Sequence, residues 1–170
     1  MANFEEALAV VLRHEDPRLS GVVIEDCGGR TRFGIAERSH PQQGDRFYCG
    51  SKDDALEIAR EIYRRDYWEA IRGDEIVQQQ IAGKLLDMAV NMGVRQATLL
   101  CQRAVNACTA ARLIEDGVVG AKTLSAINAC NPEALLVHLR EASAGFYRHI
   151  ASIKPEAAQY LRGWLARAET

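Results

Sequence analysis

A helical pattern that breaks once is the feature that most constrains this chain. Apolar residues recur at helical spacing through Phe4, Leu8, Val11 and Leu12, and again from Ala55 onward. Between these stretches, residues 16–50 carry six of the thirteen glycines and little helical periodicity. Asn3 followed by Glu6 starts the first helix as a capping-box-like pair. Pro17 disfavours helical backbone at Asp16, so this helix is expected to end near Glu15. The segments VVI (22–24) and RTRFGI (30–35) are β-branched or aromatic enough for two or three short strands.

Helices resume at Ser51, whose pairing with Asp54 is a cap signal. Ile81, Leu85, Met88, Ala89 and Met92 form a stripe that stops at Gly93, a plausible residue just past a helix end. Ala97, Leu100, Cys101, Ala104, Val105 and Cys108 form the next. EDGVVGAKTL (115–124) reads as a turn into a short helix. Asn131-Pro132 reads as a cap followed by Pro at the first helical position, opening a helix through Leu135, Leu139, Phe146 and Ile150. Pro155 begins a last helix carrying Leu161, Trp164 and Leu165. A mainly α fold with a small β hairpin or sheet near the N-terminus follows.

At 170 residues the chain makes one domain, or one domain with a closely attached second half. Its net charge of −2 implies no nucleic-acid partner. No apolar run approaches the ~20 residues that span a bilayer, and Glu5 and Glu6 stand where a secretory signal wants basic residues. Synthesis in the cytoplasm is expected, with action elsewhere requiring release or injection. Five cysteines, an odd number, argue against a disulfide framework and read as small buried thiols. Cys27, His14, His40 and Cys49 have no metal-ligand spacing, so neither metal nor cofactor is expected.

The break in the helical pattern carries the chemistry. A carboxyl at a helix C-terminus faces the negative end of the macrodipole, which disfavours its charged form. Glu15 occupies such a place and suits a general acid. Asp26 lies across the loop as a second carboxylate, Thr31 offers a hydroxyl to hold water, and Gly28 and Gly29 allow close approach of a ligand. Two carboxyls and a held water suit glycosidic cleavage; a tight solvated loop after a helix accounts for the same residues without function.

FEEALAVVLRHE followed by DCGGRTRFGI resembles the start of the phage-type N-acetylmuramidases of glycoside hydrolase family 108, with its D-x-G-G-x-T-x-x-G-I segment. The resemblance continues through IYRRDYWEAI (62–71), IAGKLLDMAVNMG (81–93) and residues 100–127. FYRHIASIKPEAAQYLRGWLARA (146–168) resembles the family's C-terminal predicted peptidoglycan-binding region. The resemblance implies a lysozyme-like fold, with a catalytic region at 1–93 and a helical peptidoglycan-binding region at 94–170 packed on it. It implies cleavage of β-1,4 bonds between N-acetylmuramic acid and N-acetylglucosamine, Glu15 as catalytic acid, and Asp26 and Thr31 in the family's Asp and Thr places. The partner it implies is the peptidoglycan glycan strand, with an immunity protein if the chain is an injected effector.

Two departures stand out. Glu15-Asp16-Pro17 replaces the usual E-G-G, and the loop to Asp26 looks about two residues longer. Asp16 sets a second charge beside Glu15 that could disfavour its ionisation further or compete for its role, and Glu25 rivals Asp26 as the second carboxylate. Tyr67 and Trp68 could stack on sugar rings or pack in the core. Asn91 could bond an N-acetyl group or cap its helix. Asp87 could face the cleft, though a solvated or paired carboxylate is the preferred reading. A non-catalytic wall-binding protein of the same fold, or an interaction domain unrelated to sugars, are the other readings.

Overall fold

The computed structural model describes residues 1–26 and 29–170, without the side chain of Asp26. Helix α1 (Phe4–Glu15) begins where Asn3 accepts a hydrogen bond from the Glu6 amide. It buries Phe4, Ala7, Leu8, Val11 and Leu12. Three short strands follow, β1 (Ile24–Asp26), β2 (Gly29–Arg32) and β3 (Ile35–Ala36), in an antiparallel sheet of that order. Thr31 of the central strand sits opposite Ile24 on one side and Ala36 on the other.

The turn from β2 to β3 has only Phe33 and Gly34 at its tip, with φ of 48° and 78°. Both are left-handed, as a tight hairpin that follows the strand twist requires. Gly34 adopts this freely; Phe33 does so at a cost. That cost is offset because the Phe33 ring is buried and its carbonyl accepts a 2.8 Å hydrogen bond from the Tyr63 hydroxyl.

Arg32 anchors the sheet from beneath. It is buried and donates to the carbonyls of Gly21 (2.7 Å), Phe47 (2.6 Å) and Gly50 (3.0 Å). One side chain thus ties the loop after α1 to the end of α2 (Gly44–Tyr48).

Helix α3 (Lys52–Tyr63), capped by Ser51, runs into a π turn at Arg64–Trp68. Helices α4 (Gln79–Met92), α5 (Val94–Cys108), α6 (Ala121–Ala129), α7 (Pro132–Ile153) and α8 (Leu161–Glu169) complete the chain, with a 3-10 turn at Pro155–Tyr160 before α8. Helix α4 is the centre: Ile81, Ala82, Leu85, Leu86, Met88 and Ala89 are all at most 1% exposed. Burying each of its large side chains contributes roughly 1.5–3 kcal/mol. Its neighbours are α1, α5 and α7, so residues before and after Gly93 share one core. Gly93, at φ 87°, closes α4.

The thiols depart in part from expectation. Cys101 and Cys130 are buried, Cys108 is half-buried, and Cys49 is exposed; these four are free. Burial, then Cys130 and Cys108 nearby, pushes the Cys101 thiol up to about 12. Cys27 lies outside the described residues.

Candidate active site

Glu15 is the last residue of α1, and its side chain is 22% exposed. It lies against the β2–β3 turn: a Cβ added to Gly34 would stand 2.8 Å from the Glu15 Cγ and Oε2, and 2.7 Å from the Tyr63 hydroxyl. Only glycine leaves room for that carboxyl. The turn therefore brings both the left-handed backbone and the missing side chain to one point. Burial, followed by the nearby Glu15 charge, pushes the Tyr63 phenol well up, so it stays a neutral hydroxyl.

The other carboxylate oxygen, Oε1, accepts a 2.8 Å hydrogen bond from Nη1 of Arg167, on α8. Arg167 also donates through Nε to Oδ1 of Asp87 on α4, at 2.7 Å. Asp87 is 4% exposed at its side chain and Arg167 13%. Burial works against the Arg167 charge, but Asp87 and Glu15 outweigh it and push the guanidinium up. The macrodipole argument for Glu15 omitted this cation, an ion-pair partner that only the fold brings to the end of α1. Lys84, one turn before Asp87, donates to the carbonyls of Arg167 (3.0 Å) and Ala168 (2.8 Å). A cation is favourable at the carbonyl end of α8, and it holds that helix end against α4.

Asp16 does not join Glu15. Its carboxylate turns into the following loop and accepts from the Gly21 amide at 2.7 Å and from the Ser20 hydroxyl. Slight burial opposes its charge, but the Gly21 and Ser20 donors overcome that and hold it below the usual carboxylate range. The longer loop thus carries its own fastener, and Asp16 is that fastener rather than a competing acid.

The remaining sequence candidates separate. Thr31 is half-buried on β2; strand alternation puts it on the face opposite Arg30 and Arg32. Glu25 is exposed and pairs in register with Arg30, so it points away from Thr31. Asp26 pairs by backbone with Gly29, and its side chain, like all of Gly28, lies outside the described residues. Gly29 has φ of 100°, and a Cβ there would face Glu37, so the glycine that receives the Glu15 carboxyl is Gly34 instead. Trp68 is fully buried, with Phe4 5.6 Å from its ring and its Nε1 donating to Asp74. No sugar can stack on it. The π turn adds a residue to the helical phase and separates the aromatic pair: Tyr67 stays half-buried, close enough to feel the Glu15 charge. Asn91 is half-buried and donates to the Tyr147 hydroxyl at 2.8 Å. His14 faces elsewhere, with its Nε2 3.3 Å from the Thr170 hydroxyl. Among the described residues no group of His, Cys, Asp and Glu is arranged to hold a metal ion.

Residues 10–93 match the family model described as glycosyl hydrolase 108, and residues 96–169 match one described as a predicted peptidoglycan domain. The chain belongs to glycosyl hydrolase family 108. Its fold is lysozyme-like. A solved structure of Brucella abortus SagA is similar, with a TM-score of 0.69 and 22% identity, covering 97% of this chain and 92% of that one. No curated protein matches the chain.

In this family 108 chain, Glu15 comes from the part matched as hydrolase and Arg167 from the part matched as peptidoglycan domain. Arg167, Lys84, Tyr63 and Gly34 were not singled out in the sequence. A signal existed for two of them. Lys84 sits inside the apolar stripe of α4, three residues after Ile81 and four before Met88. Arg167 follows Trp164 by three, on the inward side of the last helix. A cation on a buried stripe announces a buried anion.

A cavity of about 800 Å³ lies beside α6, bounded by Ile114, Asp116, Val118, Lys122 and Thr123 among others. Ile114 and Val118 expose 80% and 61% of their surface there. Asp116 and Gly117 serve the turn itself: Gln102 donates to Asp116 and accepts from the Gly117 amide.

Proposed function

We propose that the chain is an N-acetylmuramidase that cleaves β-1,4 bonds between N-acetylmuramic acid and N-acetylglucosamine in peptidoglycan. Glu15 is the general acid. The observation that carries this is the seat of its carboxyl, over the side-chain-free Gly34 within the span matched as hydrolase. Oε1 is held by Arg167, and among the described residues nothing donates to Oε2. Oε2 is therefore the oxygen that gives its proton to the bridging oxygen of the glycan. A sugar chain laid over the carboxyl excludes water, so the proton passes directly from Oε2 to the bridging oxygen. Asp26, with Thr31, orients the attacking water; Glu25 faces away from Thr31 and is set aside. Tyr67, half-buried and near Glu15, would give a bound sugar a stacking face, and Asn91, whose amide nitrogen is taken by Tyr147, would offer its amide oxygen. The cavity beside α6 is where the second region meets the wall polymer. The protein would act at the cell wall after release or injection.

The Glu15–Arg167 ion pair favours a second reading, a wall-binding protein that keeps the fold but not the reaction. Purified sacculi distinguish the two. Release of new reducing ends by the protein, abolished in Glu15→Gln, supports the muramidase. Sedimentation with sacculi and no reducing ends supports the binding protein.

A further inference from the structure

We infer that Arg167 is a positioning residue for Glu15, so that the region matching a predicted peptidoglycan domain completes the catalytic site of the hydrolase region. This rests on the muramidase reading. The contact spans 152 residues of chain. It is held from both ends: Asp87 fixes the Arg167 Nε, and Lys84 fixes the backbone carbonyls of Arg167 and Ala168. Lys84 and Asp87 side chains are 2% and 4% exposed. A charged group so enclosed would be costly without a task that fixes its place.

The geometry of the clasp is one-pronged. A guanidinium commonly grips a carboxylate with two parallel bonds. Here Nη1 takes Oε1, Nε is spent on Asp87, and Nη2 is buried with no partner among the described residues. Arg167 therefore aims the Glu15 carboxyl while leaving Oε2 at Gly34 for proton transfer. Lysine, a point donor on a flexible stem, reproduces the charge without spanning both Asp87 and Glu15. A hydrolase region lacking α8 would hold Glu15 unaimed.

Among the described side chains, the charged and titratable groups near the Glu15–Arg167 pair are His14 on α1, Tyr63 on α3, Tyr67 on the π turn, Lys84 and Asp87 on α4, and Tyr147 on α7. Arg167→Met leaves all the others in place, so a change in titration reads the loss of this one cation.

The test follows Glu15 in the full chain by carbon NMR of glutamate side-chain carboxyls, assigned with Glu15→Gln, in wild type, Arg167→Met and Arg167→Lys. Thermal melts confirm that each variant is folded; the lysine variant supplies the comparison if the methionine variant is not. Alongside, kcat/KM is measured against pH on solubilised glycan strands. We expect Arg167→Met to move both the Glu15 carboxyl signal's response to pH and the alkaline limb of the rate profile upward, since an opposite charge within contact is removed. Arg167→Lys moves them less while lowering kcat more than it alters KM. A folded Arg167→Met whose titration and limb match wild type, with only a uniform loss of rate, overturns the positioning role. Wild type without activity overturns the muramidase reading and this role with it.

Discussion

Arg167 holds Glu15 at 2.8 Å and Asp87 at 2.7 Å with a single guanidinium, and so joins the last helix to the first and the central one. Because the three charges are largely buried, removing one leaves its partners exposed to a dry environment. The fold and the site therefore share supports, and substitutions near Glu15 report on both.

Gly34→Ala tests the seat of the Glu15 carboxyl. The new Cβ would stand 2.8 Å from Oε2 and 2.7 Å from the Tyr63 hydroxyl, on a backbone with φ of 78°. Strain of about 1–3 kcal/mol follows from the backbone alone. Displacing the acid by roughly an ångström costs on the order of 10²-fold in rate. Denaturant melts and sacculus turbidity measure the two effects, and activity should fall further than stability explains.

Arg32→Leu tests the anchor beneath the sheet. It strips three carbonyls of a donor, at Gly21, Phe47 and Gly50. Leaving buried acceptors unsatisfied costs about 1–3 kcal/mol each at most, softened where water can enter. A loss near 3 kcal/mol in urea unfolding is expected.

Lys84 gives a pH signature. Burial, only partly opposed by Asp87, lowers it from 10.5 to about 8. Between those values the unfolded chain binds a proton that the folded chain lacks, so stability rises with pH through that window. The gain reaches up to about 3 kcal/mol by pH 10. Above pH 10 the raised phenols of Tyr63, Tyr67 and Tyr147 act in the other direction, since burial keeps them protonated in the fold. Lys84→Met should flatten the rise between pH 8 and 10, measured as unfolding free energy at each pH.

The cavity beside α6 is tested in a Glu15→Gln background, so that wall material is bound and not cut. Ile114→Asp with Val118→Asp places two charges on its exposed apolar rim. Losing roughly 1.4 kcal/mol of contact is tenfold in affinity. Cosedimentation with sacculi should weaken by about that factor.

Much of the fold was legible because local signals agreed. Asn3, Ser51 and Asn131 each cap the helix they precede, and Gly93 ends the stripe that runs up to Met92. The site was less legible. The end of α1 at Glu15 follows from Pro17, but what faces Glu15 is decided by tertiary packing. Nothing near Glu15 in sequence points to residue 167. Trp68 misled because residues 64–68 wind as a π turn, which shifts the helical phase that spacing assumes. Asp16 looked like a rival acid because sequence shows its charge and not the amides of Gly21 and Ser20 that absorb it.

The most direct measurement of the central claim is reducing-end release from purified peptidoglycan by wild type and by Glu15→Gln, with both shown folded by circular dichroism. Wild-type release that falls by about 10²–10⁴-fold in the variant, the scale of general acid catalysis, is the predicted result. Equal release by the two proteins would contradict it, since the carboxyl over Gly34 would then have no part in breaking the bond.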